Sequence, residues 1–214
     1  MSTRQTARQL GGLGIGGACL FLASHAIAGV SNPDYYFIDI ADGAVCHGCS
    51  GPSGGRITGI TGQLEGDIAT DATFTYNGSA FGVTGTSMTG IDAQLLVGVA
   101  GTHGYIDPDT REVSVTLRMR IKFSGSVPTN CQTPFFDVTL GTTKTSSQWS
   151  ALDLDPVTGS FRIVAEDFIV PEVTTTACGT SATLINSTLG FGSSAGAIAM
   201  FLQGSVANPQ VPVP

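Results

Sequence analysis

Residues 113–123 read V-S-V-T-L-R-M-R-I-K-F, and the alternation in this stretch decides the fold class. Val113, Val115, Leu117, Met119, Ile121 and Phe123 fall on one side; Ser114, Thr116, Arg118, Arg120 and Lys122 fall on the other. Successive side chains on a strand point to opposite faces, so this period of two belongs to a strand with one buried and one solvated face. Less regular runs of the same kind occupy residues 35–40, 57–68, 72–76, 80–88 and 91–99 before it. Residues 135–140, 160–170, 182–191 and 197–206 follow in the same style. No stretch reads as a convincing amphipathic helix. About ten short strands predict an all-β domain, an antiparallel two-sheet sandwich of jelly-roll or Ig-like type. An outer-membrane barrel is the second architecture. Few aromatic residues for interfacial girdles and a prolyl tail count against it.

The turns between the runs have their own chemistry. Asn77-Gly78 suits a two-residue hairpin turn, because both residues tolerate positive φ. Ile106-Asp107-Pro108-Asp109-Thr110 and Leu154-Asp155-Pro156-Val157-Thr158 echo one another, each just before a strand. Asp can cap such a turn and Pro presets φ at its first central position, so the echo points to two hairpins that share a geometry.

The N-terminus predicts export. Arg4 and Arg8 precede an apolar run over residues 10–23, and Ala26-Ile27-Ala28 supplies the small residues that signal peptidase accepts. A membrane span needs roughly 20 apolar residues, more than this run offers, so cleavage after Ala28 is expected and no transmembrane segment in the mature chain. Cys19 lacks the lipobox context. The domain reading is a signal peptide over 1–28, one β-domain over 29–207 and an extended Pro-rich tail over 208–214.

Arg4 and Arg8 are two of nine basic residues, and none of the 16 acidic residues precedes Asp34. The mature chain thus carries seven basic against 16 acidic groups, a net charge of −9. Such a chain repels phosphate backbones, so nucleic acid is not an expected partner.

Four cysteines remain after cleavage, an even number that suits an oxidising compartment. Cys131 and Cys178 are expected to pair across the domain. Cys46-His47-Gly48-Cys49 has more readings. Haem attachment needs His directly after the second Cys, where Ser50 stands. A thioredoxin-like site needs a helix N-terminus to lower a thiol pKa, and Ser50-Gly51-Pro52-Ser53-Gly54-Gly55 cannot start a helix. A zinc site with His47 or His103 would have one Cys pair where two are usual. A small disulfide ring closing a glycine loop is the preferred reading.

Gly51-Pro52-Ser53-Gly54-Gly55 and Gly192-Ser193-Ser194-Ala195-Gly196 match a serine-hydrolase elbow literally, but a chain with 29 glycines produces such matches freely. Neither is expected to open a helix, as that elbow must. His103 near Asp107 is expected in a turn. The carboxylate pairs Asp107/Asp109 and Asp153/Asp155 could share Ca²⁺, but a calcium site needs six to eight oxygens, so turn formation is the expected role. Arg118, Arg120 and Lys122 gather three of the seven mature cations on one strand face. They are the candidate ligand-binding residues, facing either an anionic partner or cross-strand carboxylates such as Glu166 and Asp167.

The sequence therefore predicts a non-catalytic structural or adhesive β-domain, secreted or displayed on a bacterial cell surface, with a periplasmic location as a variant. It calls for no cofactor and no metal. A glycan, a cell-envelope component or a second copy of the chain is the expected partner. The alternative is an exported redox, metal-binding or hydrolytic protein centred on Cys46-His47-Gly48-Cys49.

Overall fold

The alternating stretch forms a strand of fourteen residues, and each of its six apolar side chains from Val113 to Phe123 is wholly buried. A computed structural model of the protein describes residues 35–49, 54–67, 73–75, 81–107 and 109–207. The expected signal peptide, the Asn77-Gly78 turn and the prolyl tail lie outside the described residues.

The strands are β1 (Tyr35–His47), β2 (Gly55–Thr58), β3 (Gly62–Asp67), β4 (Thr73–Thr75), β5 (Gly85–Thr86), β6 (Ile91–Asp107), β7 (Glu112–Gly125), β8 (Phe136–Gly141), β9 (Ser160–Ala165) and β10 (Ile198–Ala207). Two helices, α1 (Thr175–Cys178) and α2 (Ser181–Leu189), lie between β9 and β10. Every strand pair is antiparallel.

The expected all-β antiparallel character is present, but the expected division into two sheets is not what the pairing draws. Among the described residues the ten strands belong to one sheet, running β4-β3-β1-β10-β9-β8-β7-β6, with β2 against β1 and β5 against β2. Phe81 bridges to Leu95 of β6, and its neighbour Gly82 bridges to Thr61 beside β3, which carries the pairing from one end of the sheet toward the other. One core fills the space within: Ile38 and Ile40 of β1, Leu95 of β6, Leu117 of β7, Ile163 of β9 and Leu202 of β10 join a single apolar cluster. The other face of β7 carries Ser, Thr, Arg and Lys, the reverse of a strand facing lipid. Among the described residues no helix is long and apolar enough to cross a membrane.

Residues 182–191 depart from the strand expectation. Residues 182–189 lie in α2, with Ala182, Ile185 and Leu189 buried along one face; Gly190, in the left-handed conformation, caps the helix, and Phe191 follows it. The stretch is short and rich in Thr and Ser, of modest helix propensity, so packing rather than propensity fixes it. Asn186 fastens it: its Oδ1 accepts from the Val173 N–H (2.9 Å) and its Nδ2 donates to the Val173 carbonyl (3.0 Å). Residues 166–170, read as part of a strand, lie beyond the end of β9.

The two Asp turns do share a geometry. Asp107 Oδ1 accepts from the N–H groups of Asp109 and Thr110 at 2.9 and 3.2 Å; Asp155 Oδ1 accepts from Val157 and Thr158 at 2.7 and 3.2 Å. The Thr110 N–H holds the Asp107 carboxyl below its ordinary value, and the Val157 N–H does the same for Asp155. Four residues after each Asp the chain turns left-handed, at Arg111 (φ 63°) and at Gly159 (φ 69°). One turn thus uses glycine where the other forces a side chain into a conformation costly to L-residues. Arg111→Gly should leave stability unchanged or raise it by up to about 1 kcal/mol. Gly159→Ala should lower it by about 1–3 kcal/mol, since its Cβ would also stand 2.4 Å from the Val206 carbonyl oxygen. Urea unfolding midpoints of the two variants check the contrast.

Candidate functional site

Cys46 lies within β1, between partners on both sides: Arg56 of β2 and Ala199 of β10. Residues directly opposite in an antiparallel pair share a face. The outer face here therefore gathers Arg56 and Thr58 of β2, Ala44 and Cys46 of β1, Phe201 and Ala199 of β10, and Val164 of β9. Its middle is small, so the surface is hollowed. The connection between β8 and β9 passes over the hollow and sets Trp149 against Phe201, ring centroids 4.8 Å apart and planes at 51°.

Hydrogen bonds hold that connection in place. Ser147 donates to Glu166 through both its N–H and its hydroxyl, and Leu152 exchanges backbone bonds with Arg162 at 2.9 and 3.0 Å. The Arg162 guanidinium lies over the Phe201 ring, 5.7 Å from its centroid, and is fixed on Gln203 Oε1 at 2.6 and 3.0 Å. The result is a cavity of about 290 Å³ lined by Asp42, Gly43, Ala44, Cys46, Cys49, Arg56, Thr58, Gly59, Gln148, Trp149 and Phe201.

The sequence-predicted cysteines form part of its wall. Cys46 and Cys49 are paired, with Cα atoms 5.7 Å apart, and Arg56 Nη2 donates to the Cys49 carbonyl at 3.0 Å. The nearest helix end is the C-terminus of α2: a Cβ on Gly190 would meet the His47 ring at 2.3 Å, and one on Gly55 would meet the Thr188 carbonyl oxygen. That end carries partial negative charge, which opposes a thiolate. Cys131 and Cys178 are also paired, Cα atoms 4.4 Å apart, joining the segment after β7 to the end of α1. Cys178, expected in a loop, closes that helical turn.

The cation stripe lies elsewhere, on the outer face of β7. Arg118 stands opposite Asp137 of β8 and pairs with it at 3.5 Å. Arg118 and Arg120 also flank the exposed Phe135 ring, at 5.8 and 4.7 Å from its centroid. Lys122 faces Gln94 of β6 and Gln132. The stem of Arg118 runs over a bulge in β6, where residues 99–102 are inserted opposite Leu117. A Cβ on Gly101 would meet Arg118 Cδ at 2.9 Å. Glu166 and Asp167 are not the partners of this stripe: Glu166 accepts from Ser147, and Asp167 pairs with Lys144 at 2.8 Å. The Lys144 ammonium holds the Asp167 carboxyl below its ordinary value.

No family model, curated protein or solved structure matches this chain.

The remaining candidates stay apart. His103 belongs to β6 rather than to a turn, opposite Thr116, with Nδ1 3.1 Å from the Gly101 carbonyl oxygen. Gly192-Ser193-Ser194-Ala195-Gly196 leads into β10, a strand, whereas a hydrolase elbow opens a helix. The other match, at residues 51–55, falls mostly outside the described residues. Among the described residues no three His, Cys, Asp or Glu side chains gather as a metal-ligand set. Nothing local in the sequence marks Trp149, Gln148 and Phe201 as neighbours, because the cavity draws on three distant segments. A lone tryptophan in an aperiodic, polar stretch was the available signal.

Proposed function

We propose that the chain is an exported, non-catalytic β-domain of the cell surface or extracellular medium, structural or adhesive, whose outer face contacts a glycan or a neighbouring subunit. The observation that carries the reading is the setting of Cys46–Cys49. Cys46 is a buried strand residue, hydrogen-bonded into the sheet on both sides, and α2 turns its negative end toward the same loop. Such a pair fastens a loop and is poorly placed to ionise. Cys131 and Cys178, both fully buried, add a second crosslink of the kind retained outside the cytoplasm.

One observation favours the redox alternative. The Arg56 guanidinium sits beside Cys49, and a cation stabilises a thiolate. The two influences oppose one another, so thiol reactivity decides between them. After selective reduction of Cys46–Cys49, alkylation at pH 6 should be slow, as for a thiol whose surroundings do not favour the thiolate. Fast alkylation at that pH, or about one metal ion per chain lost in Cys49→Ser, overturns the structural reading.

A further inference from the structure

We infer that the cavity beneath Trp149 is a saccharide-binding site that takes a neutral sugar ring, at the end of a chain or within it. This deepens the proposed surface role and rests on it. The lining is divided by chemistry. Trp149 and Phe201 supply an aromatic wall, Gly43, Ala44 and Cys46 a floor of small groups, and Asp42, Arg56, Thr58 and Gln148 a polar rim. A ligand that fits must offer a flat apolar side to the rings and hydroxyls to the rim. A pyranose does both, since its axial C–H groups form a face and its hydroxyls project from the edge. The one carboxylate and one guanidinium among the lining residues offset each other, so the site selects for hydrogen-bonding capacity rather than net charge. A volume of about 290 Å³ is at the small end for a ligand pocket and suits one or two rings.

The aromatic wall is also built in advance of binding. Trp149 packs against Phe201, the Arg162 guanidinium lies over the Phe201 ring, and Gln203 fixes Arg162. Glu166 anchors the strap at Ser147, two residues before Trp149. Rings fixed before the ligand arrives lose little freedom on binding, which favours affinity in a shallow site. The Cys46–Cys49 bridge lines the same cavity and thereby acquires a role in ligand contact.

Trp149 is the only tryptophan in the chain, so its own emission reports the site. The full-length mature protein should be titrated with cellohexaose, maltohexaose, mannohexaose and N-acetylchitohexaose to millimolar concentration. Heparin and polygalacturonate oligosaccharides serve as acidic probes, and indole as a flat apolar one. At least one neutral oligosaccharide should shift Trp149 emission saturably. In calorimetry, Trp149→Ala should weaken that binding at least tenfold and Trp149→Phe should retain part of it. Gln148→Ala should weaken it severalfold with far-UV dichroism unchanged, which keeps the test independent of any folding defect in Trp149→Ala.

The inference is overturned if no neutral oligosaccharide shifts the emission, if indole alone binds, or if binding survives both Trp149→Ala and Gln148→Ala. Binding of acidic oligosaccharides alone, lost in Arg118→Ala/Arg120→Ala, would move the ligand to the β7 stripe and overturn it too. Slow alkylation of the reduced Cys46–Cys49 pair would leave the proposed surface role standing under any of these failures. Fast alkylation would remove both.

Discussion

Phe123→Ala should destabilise the protein by about 3–5 kcal/mol, the cost of deleting a buried aromatic ring that its surroundings cannot fill. Phe123 ends the buried face of β7 with no exposed surface. Its ring meets Phe191, just past the C-cap of α2, with centroids 6.1 Å apart and planes at 44°. Its N–H donates to the Cys131 carbonyl at 2.8 Å, which ties this point of the sheet to a crosslinked segment. The side chain therefore joins sheet, helix end and disulfide, and neighbours held in three ways can collapse only partly into the space left behind. Equilibrium urea unfolding measures the loss. A change under 1 kcal/mol would mean that Phe191 and α2 are not packed against β7.

Removing the Cys131–Cys178 bridge should have a comparable effect. The bridge closes a loop with a sequence separation of 47, for which the chain-entropy account gives roughly 4 kcal/mol. Native bridges of this kind typically contribute about 2–5 kcal/mol. Alanine is the better replacement at both positions, because serine would leave hydroxyls at two sites with no exposed surface. Cys131→Ala/Cys178→Ala should lower the urea midpoint by the corresponding amount, and peptide maps of the native protein should recover both cysteines in one linked fragment. Combined with Phe123→Ala the losses should not add, since Phe123 and Cys131 are hydrogen-bonded neighbours. A map linking either cysteine to Cys46 or Cys49 would contradict the strand arrangement.

The contrast between β7 and α2 shows what the sequence made legible. In β7 every second residue is apolar and every such side chain is buried, so a local pattern suffices to orient the strand. The Asp107 and Asp155 turns were legible for the same reason, since an Asp accepts from N–H groups two and three residues away. The stretch 182–191 holds Thr183, Ile185 and Thr188, β-branched residues that favour strands when read locally. Its helical spacing of Ala182, Ile185 and Leu189 and the stop at Gly190 were present but outweighed. The single sheet was harder to foresee, because β8 joins β9 through one residue pair, Gly141 with Val164, and its two ends approach one another only through isolated bridges at Phe81 and Gly82. The cavity was least legible: Asp42, Arg56, Gln148 and Phe201 meet only through the register of β1 with β2 and β10 and the path of one connection.

The central claim, an exported domain held by two internal crosslinks, is tested most directly by the intact mass of the protein recovered from the envelope or medium of the producing cell. Measurement with and without reductant reads leader removal, crosslinks and bound groups together. The account predicts a chain beginning at Gly29 that gains two hydrogens for each of two disulfides on reduction and carries no additional mass. A mass that retains residues 1–28, a lipid on Cys19, or cysteines 46 and 49 that are free thiols or hold a metal in the isolated protein would contradict it.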